Sequence, residues 1–279
     1  MTTTAESTMR RERIKVRRMD FEFTPDIPEH WADDNAVLTA LLSGLSAAFP
    51  PGERYFIESV RHFADRVDDP DLEERIRGFI GQEANHTKEH LAFNAFLDGR
   101  GLPIGKMQRF VEKALKRIKQ RNSPEENLAR TVALEHMTAF LASALLENPE
   151  ILDHTHPTVA AFWAWHAIEE IEHRAVAFDV YKEHVDDEQL RLRTMAVVTV
   201  LFSTLSAIRT LVILKETGNL LNLRAWTRGL DVMFGPQGML RKAMPLYRAY
   251  YRPDFHPDQH DSGAAVERAK RTYLSGMAM

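Results

Sequence analysis

Two Glu-x-x-His pairs are the residues of this sequence best suited to chemistry. They are Glu83 with His86 in GQEANHTKEH, and Glu170 with His173 in WHAIEEIEHRAVAFD. Residues three apart share one face of an α-helix, so each pair would present a carboxylate and an imidazole side by side. Each pair lies midway along a predicted helix with a strong apolar face. Charge in that setting indicates side chains that face inward, toward something that neutralises them.

Two further helices each offer one Glu in apolar surroundings: Glu53 in PPGERYFIESV and Glu135 in RTVALEHMTAFLASALL. The order along the chain is therefore Glu, Glu-x-x-His, Glu, Glu-x-x-His on four successive long segments. Four carboxylates buried without cations would cost many kcal/mol or would take up protons. Two divalent ions would cancel their charge, and oxygen and nitrogen ligands without sulfur suit iron or manganese.

Three stretches carry a resemblance to a known family: FPPGERYFIESVR, FIGQEANHTKEH and WHAIEEIEHRAVAFDVY. The chain resembles the ferritin-like di-iron carboxylate superfamily and, more narrowly, a bacterial family labelled predicted metal-dependent hydrolase, over residues 20–260. The resemblance implies a ferritin-like four-helix bundle around two Fe ions or an Fe/Mn pair, with Zn instead if the protein is a hydrolase. The metal ligands that it implies are Glu53, Glu83, His86, Glu135, Glu170 and His173.

Two more histidines share a helix face with these pairs. His90 follows His86 by four residues, and His166 precedes Glu170 by four. Each is a candidate for an additional metal ligand or for a group that supports one, and the alternative is a hydrogen-bonded core histidine. In radical-generating relatives a Tyr occupies the position of His90. The departure argues against a tyrosyl-radical subunit, and it resembles di-iron oxygenases that have an additional His ligand.

Three neighbouring residues have open roles. Glu169 lies four residues before His173, so either Glu169 or Glu170 could be the ligand on that helix. Thr87 and Thr138 lie four residues after Glu83 and three after Glu135, which would let them line a pocket. The alternative for a threonine inside a helix is simple packing or a hydrogen bond to the preceding turn.

The composition excludes several classes of protein. The chain has 279 residues, a net charge of −4 and no Cys, so disulfides, thiolate metal sites and cysteine nucleophiles are excluded. The overall charge gives no reason to expect nucleic acid as a partner, and nucleotide-binding or serine-hydrolase motifs are absent. No apolar stretch follows the basic N-terminal run, so we expect a cytoplasmic protein without a secretory signal.

Helical periodicity and helix punctuation run along most of the chain and predict an all-α fold. The predicted organisation is an N-terminal arm (1–33), a di-metal helical bundle (34–186) and a helical C-terminal extension packed on the bundle (187–279). The predicted helices of the bundle are 34–48, 50–65, 70–99, 104–120, 124–146 and 157–184. Residues 10–18 contain six basic residues and one acid. This favours a solvated arm, with a membrane-surface or nucleic-acid contact as the alternative.

The stretch 194–214, TMAVVTVLFSTLSAIRTLVIL, is long enough to span a membrane. Arg209 lies inside it, which is costly at bilayer depth. A helix buried in the domain or in a homodimer interface is therefore favoured over membrane-surface contact, and both over a true span. The stretch could also cover a hydrophobic substrate tunnel.

The ligand pattern leads to three functional hypotheses. The leading one is a di-iron oxidase or oxygenase that activates O2, acts on an apolar small molecule and needs an electron donor. The second is a metal-dependent hydrolase that uses a water between the metals. The third is a non-catalytic iron-binding or metal-stabilised interaction protein. The first two need the same ligands, so the spacing leaves the choice between them open.

Overall fold

The computed structural model describes residues 13–275, and every regular element within them is helical. The predicted all-α class is thus confirmed. The elements are α1 (Ala36–Ser46), α2 (Phe49–Ala64), α3 (Pro70–Gly99), α4 (Ile104–Arg121), α5 (Pro124–Leu146), α6 (Glu150–Asp153), α7 (Pro157–His173), α8 (Val176–His184), α9 (Glu188–Glu216), α10 (Leu223–Phe234), α11 (Met239–Ala249), a 3-10 turn (Pro257–Gln259) and α12 (Gly263–Tyr273).

Local capping explains where the long helices begin. The Asp69 side chain accepts a hydrogen bond from the Asp71 amide at the start of α3, and Pro70 occupies the first turn. At the start of α5, Ser123 and Glu126 form a complete capping box. Both devices satisfy backbone N–H groups that have no partner inside the helix. They place the two helices where the sequence predicts them.

A bundle of α2, α3, α5 and the α7–α8 pair forms the centre of the molecule. Within it α2 packs on α3 and α5, and α7 packs on α3 and α5. The helix predicted over 157–184 is in fact two helices, because the pattern is interrupted at Arg174 and Ala175. Neither Gly nor Pro marks the break. The Arg174 side chain leaves the bundle there and donates a hydrogen bond to the His260 carbonyl at 2.6 Å.

The described part of the N-terminal arm, residues 13–33, packs on the bundle, so the solvated reading is wrong for these residues. Met19, Ile27 and Trp31 are buried in the core, and Arg17 is only 4% exposed. Apolar residues between the basic ones give the segment its contacts, and Arg17 is drawn inward by carboxylates described below. The remaining basic residues of the run, Arg10 and Arg11, lie outside the described residues.

The last four α-helices of the described residues cover the bundle from several sides. α9 packs on α1 and α5, α10 on α1 and α11, α11 on α5, and α12 on α7. Within the described residues α9 is the one helix long and apolar enough to cross a membrane, and 33% of its most apolar stretch is buried. Arg209 is turned into the protein, where it donates a hydrogen bond to Ser206 Oγ at 3.1 Å. The helix is thus only partly buried within the domain itself.

Candidate metal centre

The structure brings together the six residues that the ligand pattern singles out. All six side chains are at most 2% exposed, in the middle of the bundle. Their oxygen and nitrogen atoms form three overlapping groups in which every donor atom lies within 4.8 Å of the others. The groups are Glu83, Glu135 and His173; Glu83, His86 and Glu170; and Glu53, His86 and His166.

Glu83 and Glu170 lie between the two imidazoles. His173 Nε2 approaches Glu83 Oε1 at 3.1 Å, Glu135 Oε2 at 3.4 Å and Glu170 Oε2 at 3.7 Å. On the opposite side, His86 Nδ1 lies 3.5 Å from Glu170 Oε1 and 3.9 Å from Glu83 Oε2. Each of the two central carboxylates therefore faces both histidines. Both carboxylates are thus within reach of either half of the cluster.

The second nitrogen of His86 shows which of the adjacent acids belongs to the cluster. His86 Nε2 lies 3.1 Å from Glu169 Oε2, and Glu169 Oε1 accepts a hydrogen bond from Arg17 Nη1 at 3.0 Å. Glu169 thus lies behind the imidazole, while Glu170 faces the other carboxylates. The sequence alone does not find Arg17, because a contact across 152 positions leaves no local pattern.

His173 is held by a neutral amide instead. Its Nδ1 lies 3.0 Å from Gln82 Oε1, and Gln82 Nε2 donates to Glu172 Oε2 and to the Lys15 carbonyl, each at 3.0 Å. Because those two acceptors fix the orientation of the amide, Gln82 Oε1 must accept the Nδ1–H of His173. Once His173 is neutral, as a metal ligand must be, its unprotonated Nε2 faces the carboxylates.

A chain of hydrogen bonds fixes the protonation of His90. Asn94 Nδ2 donates to the Ser46 carbonyl at 3.0 Å, so Asn94 Oδ1 accepts the Ser46 hydroxyl hydrogen at 2.7 Å. Ser46 Oγ must then accept from His90 Nδ1, which lies 2.8 Å away. Burial lowers the pKa of His90 well below its ordinary value, which keeps the ring neutral. His90 Nε2 is therefore an acceptor.

The same reasoning assigns the protons of His166. Its Nδ1 lies 3.1 Å from His90 Nε2 and must donate to it. Burial lowers the pKa of His166 to about 3, so its Nε2 carries a lone pair. That atom lies 3.4 Å from Glu170 Oε1 and faces the cluster. The structure thus separates the two extra histidines: His166 presents a nitrogen to the cluster, and both nitrogens of His90 are used elsewhere.

The two threonines also differ. Thr87 Oγ1 donates a hydrogen bond to Glu53 Oε2 at 2.8 Å, which orients that carboxylate. Thr138 Oγ1 donates to the Glu135 carbonyl at 3.0 Å, the bond to the preceding turn expected of a helical threonine. The first acts on the cluster directly, and the second acts on the helix backbone.

Burial sets the electrostatics of the cluster. Burial, together with the charge of Glu83, raises the pKa of Glu53 well above its ordinary value, and burial raises the pKa of Glu135 and Glu83 as well. Glu170 is the exception. Although burial acts in the opposite direction, the neighbouring imidazoles hold its pKa well below the usual range. Without added cations, these shifts favour protonation of Glu53 and Glu135 over protonation of Glu170.

Eight donor atoms of the cluster test whether metal ions fit. The atoms are Glu53 Oε1, both oxygens of Glu83, both oxygens of Glu135, Glu170 Oε2, His86 Nδ1 and His173 Nε2, and none has a hydrogen-bond partner among the described residues. Buried polar atoms are normally satisfied, because each orphan costs roughly 1–3 kcal/mol. Carboxylate oxygens and imidazole nitrogens that converge without sulfur are the donor set of divalent iron, manganese or zinc. The residues present fit such ions.

Comparison with known proteins agrees with this donor set. A family model described as predicted metal-dependent hydrolase matches residues 15–261. The chain belongs to this family. The match includes every residue of the cluster and Arg17 behind it. No curated protein and no solved structure matches the chain.

In this member of the predicted metal-dependent hydrolase family an apolar cavity of about 80 Å³ adjoins the cluster. Its wall includes His166 and Thr138, so the cavity touches both the cluster and the helix that carries Glu135. The other lining residues are apolar and come from α1, α2, α5, α6, α7, α10 and α11. The stretch 194–214 contributes none of them, contrary to the idea that it covers a substrate tunnel.

Proposed function

We propose that this chain binds two metal ions in the bundle and converts an apolar small molecule held in the adjoining cavity. The proposed ligands are Glu53, Glu83, His86, Glu135, Glu170 and His173, with His166 as a seventh. The observation that carries the proposal is the convergence of eight unsatisfied donor atoms beside a cavity that shares His166 with them. Four helices that supply such ligands are also the reason to propose a ferritin-like relationship.

The chain's own residues prepare the site for this task. Glu169 orients His86 and is itself held by Arg17, while His90 orients His166 through a neutral hydrogen bond. Partners of this kind fix the ring and tautomer of a histidine ligand and raise its basicity. Bound metal ions would supply Lewis-acid polarisation and a low-pKa water, or redox chemistry. The apolar wall of the cavity orients the substrate and excludes bulk water.

Metal-dependent hydrolysis is the reaction that the family description supports. In that case Zn or another redox-inert ion would suffice, and the substrate would contain an ester, amide or phosphoester bond. Glu83 and Glu170 would contribute ligands to the ions, which would supply a water of lowered pKa for attack on that bond. Turnover would need neither O2 nor an electron donor.

A specific observation favours O2-dependent oxidation as a second candidate. Apart from His166, the hydroxyl of Thr138 and the indole N–H of Trp163, the described residues of the cavity wall offer no acid, base or polar group to a hydrolysable bond or a polar leaving group. A hydrocarbon-like substrate fits such a wall, and it offers oxidation rather than hydrolysis. Two Fe ions, or an Fe/Mn pair, and a separate electron donor would then be required.

Metal content and oxygen dependence together decide between these readings. Protein from iron-supplemented expression would be analysed for bound metals and for its absorption spectrum. Assays of aliphatic esters and hydrocarbons would then follow, with and without O2 and reductant. Anaerobic turnover with Zn supports hydrolysis, whereas O2 uptake that depends on iron and reductant supports oxidation. Two bound metals without either activity would leave the non-catalytic alternative, and protein that binds no metal would overturn the proposal.

A further inference from the structure

The surface formed by α9 and α10 is unusual because large apolar side chains point into solvent. On α9 these are Val197, Val200, Leu201, Ile208, Leu211 and Val212, followed by Leu220 and Leu221 in the connection and by Leu223, Leu230 and Phe234 of α10. We call this set the α9–α10 apolar surface. Leu221 is 86% exposed and Leu223 is 76% exposed. So many large apolar side chains exposed along α9 and the segment that follows it indicate a binding partner.

The charges around this surface indicate what the partner is. Residues 189–250 contain nine Arg and Lys but only two acids, although the whole chain has a net charge of −4. Within 194–214 the single charged residue is Arg209, which is buried. Exposed Arg193 and Lys215 lie beyond the two ends of that stretch, and Arg224 lies on α10. The α9 part of the surface is uncharged, and the exposed basic residues of 189–250 outnumber its two exposed acids, Glu216 and Asp231. This excess of positive charge beside an apolar face matches the interface of an anionic bilayer.

Two alternatives fit these observations less well. A symmetric dimer through the same surface would place the positive charge of one protomer against the positive charge of the other, which is unfavourable. A membrane span by α9 would require the helix to leave α1 and α5, on which it packs, and would carry the inward-facing Arg209 to bilayer depth. A helix that lies in the interface keeps both its internal contacts and its exposed face.

The surface is also close to the cavity. Met233 of α10 lines the cavity, while the next residue, Phe234, is 57% exposed on the α9–α10 apolar surface. Met239 and Leu240, at the start of α11, line the cavity and are half-buried. One helix thus separates the apolar cavity from the apolar surface.

We infer that the α9–α10 apolar surface docks on an anionic phospholipid bilayer and that the apolar substrate enters the cavity from there. The docking stands on the surface itself, whereas the entry of substrate rests on the proposed function. The two parts can fail independently, because docking requires no metal.

Vesicle cosedimentation tests the docking with the full chain. Vesicles of phosphatidylcholine alone are compared with vesicles that also contain phosphatidylglycerol. Wild type is expected to bind the anionic vesicles, and added salt should weaken binding through screening of the basic residues. Leu221→Glu combined with Leu223→Glu should weaken binding by at least about tenfold, because burial of each leucine changes a transfer equilibrium by that much. The folded state of the variant is checked by circular dichroism.

A matched control is an exposed apolar residue on a different surface of the molecule. Phe110 of α4 is 60% exposed among basic residues but lies outside the α9–α10 apolar surface, so Phe110→Glu should bind as wild type does. The metal-site variant Glu83→Gln should also bind normally, which separates a failure of docking from a failure of the proposed function. The inference would be overturned if Phe110→Glu lost as much binding as the leucine variant, or if wild type bound neither kind of vesicle. A leucine variant that changes only the oligomeric state in sedimentation velocity would also overturn it.

Tryptophan fluorescence locates the contact. Trp226 lies half-buried on α10, whereas Trp31, Trp163 and Trp165 are at most 4% exposed. Brominated phosphatidylglycerol should therefore quench wild type on docking and should quench Trp226→Phe far less. Quenching that is unchanged in Trp226→Phe would place the contact elsewhere and would overturn the inference.

Discussion

The two Glu-x-x-His pairs have the same spacing but different surroundings. On α3, His86 is supported by a carboxylate, Glu169, that is itself paired with Arg17. On α7, His173 is supported by a neutral amide, Gln82. An anionic partner makes an imidazole more basic and a stronger ligand than a neutral partner does. Two metal positions in this cluster are therefore expected to differ in affinity, although the local sequence repeats.

The pKa shifts of His86 and His173 agree only in part with this difference between their supporting groups. Burial alone would lower the pKa of His86, but the contacts with Glu169 and Glu170 raise it to about 10. The pKa of His173 is also raised well above its ordinary value, despite burial, chiefly by Glu135 and Glu170. Both shifts describe the cluster without cations, where the carboxylates attract protons to the rings. The distinct supporting groups, not these shifts, are what should persist once metal ions replace the protons.

The largest effect is expected when a carboxylate shared by both halves is neutralised. Glu83→Gln should abolish tight binding at both positions, because Glu83 belongs to two of the three donor groups. Metal bound at a thousandfold excess over Kd stabilises the folded state by about 4 kcal/mol. The variant should therefore melt below wild type with iron, but above wild type without metal, since one repelling carboxylate is gone.

Melting temperatures of both proteins with iron and with chelator test this crossing of the order. Glu74→Gln, on the same helix but partly exposed and paired with Arg13, is the control and should show no crossing. If chelation leaves the wild-type midpoint unmoved and no metal copurifies, the cluster is not a metal site.

The supporting groups give the most direct test of the comparison. Glu169→Gln should weaken metal binding in the His86 half by about 10- to 100-fold, the usual cost of removing such a partner. Gln82→Leu removes a neutral partner from His173 and should cost less. Isothermal titration with Mn, read as two binding steps, measures both variants. Equal losses would mean that the two halves are equivalent despite their different partners.

Proton release applies to both halves at once. Because the pKa of Glu53 and that of Glu135 are raised well above their ordinary value, metal ions compete with protons for these carboxyls. Metal affinity should therefore fall with decreasing pH, by about tenfold per pH unit for each proton displaced. Titration at several pH values gives the slope for each binding step. If metal affinity depends on pH in only one binding step, the two halves of the cluster differ more than their geometry suggests.

The smallest effect on metal affinity is expected when the hydrogen bonds that support His166 are changed. Ser46→Ala leaves His90 free to place its proton on either nitrogen, so His166 loses a fixed tautomer but keeps its position. Metal affinity should fall by less than about tenfold, and His90→Ala should have a larger effect. The spectrum of the iron-loaded protein and its metal content report both changes. If His90→Ala leaves both as in wild type, His90 and His166 are packing residues.

What the sequence determined about this protein is mainly local. Caps at Asp69 and Ser123 begin α3 and α5 at the predicted residues, because a cap acts within one helical turn. The Glu-x-x-His spacing likewise predicts which side chains share a face, since three residues make nearly one turn. These rules act over a few residues, so they can be read without the fold.

Only the tertiary structure decided the roles that depend on contacts between distant segments. The choice between Glu169 and Glu170 depends on how far α7 is rotated against α3, and a helical wheel of α7 alone leaves this rotation open. Arg17 reaches Glu169 from a segment whose charge pattern predicts a solvated arm. The lone pair of His166 depends on Ser46 and His90, which come from separate parts of the chain. Such roles follow from packing among several helices, because a proton or a charge responds to every group around it and not to its neighbours in sequence.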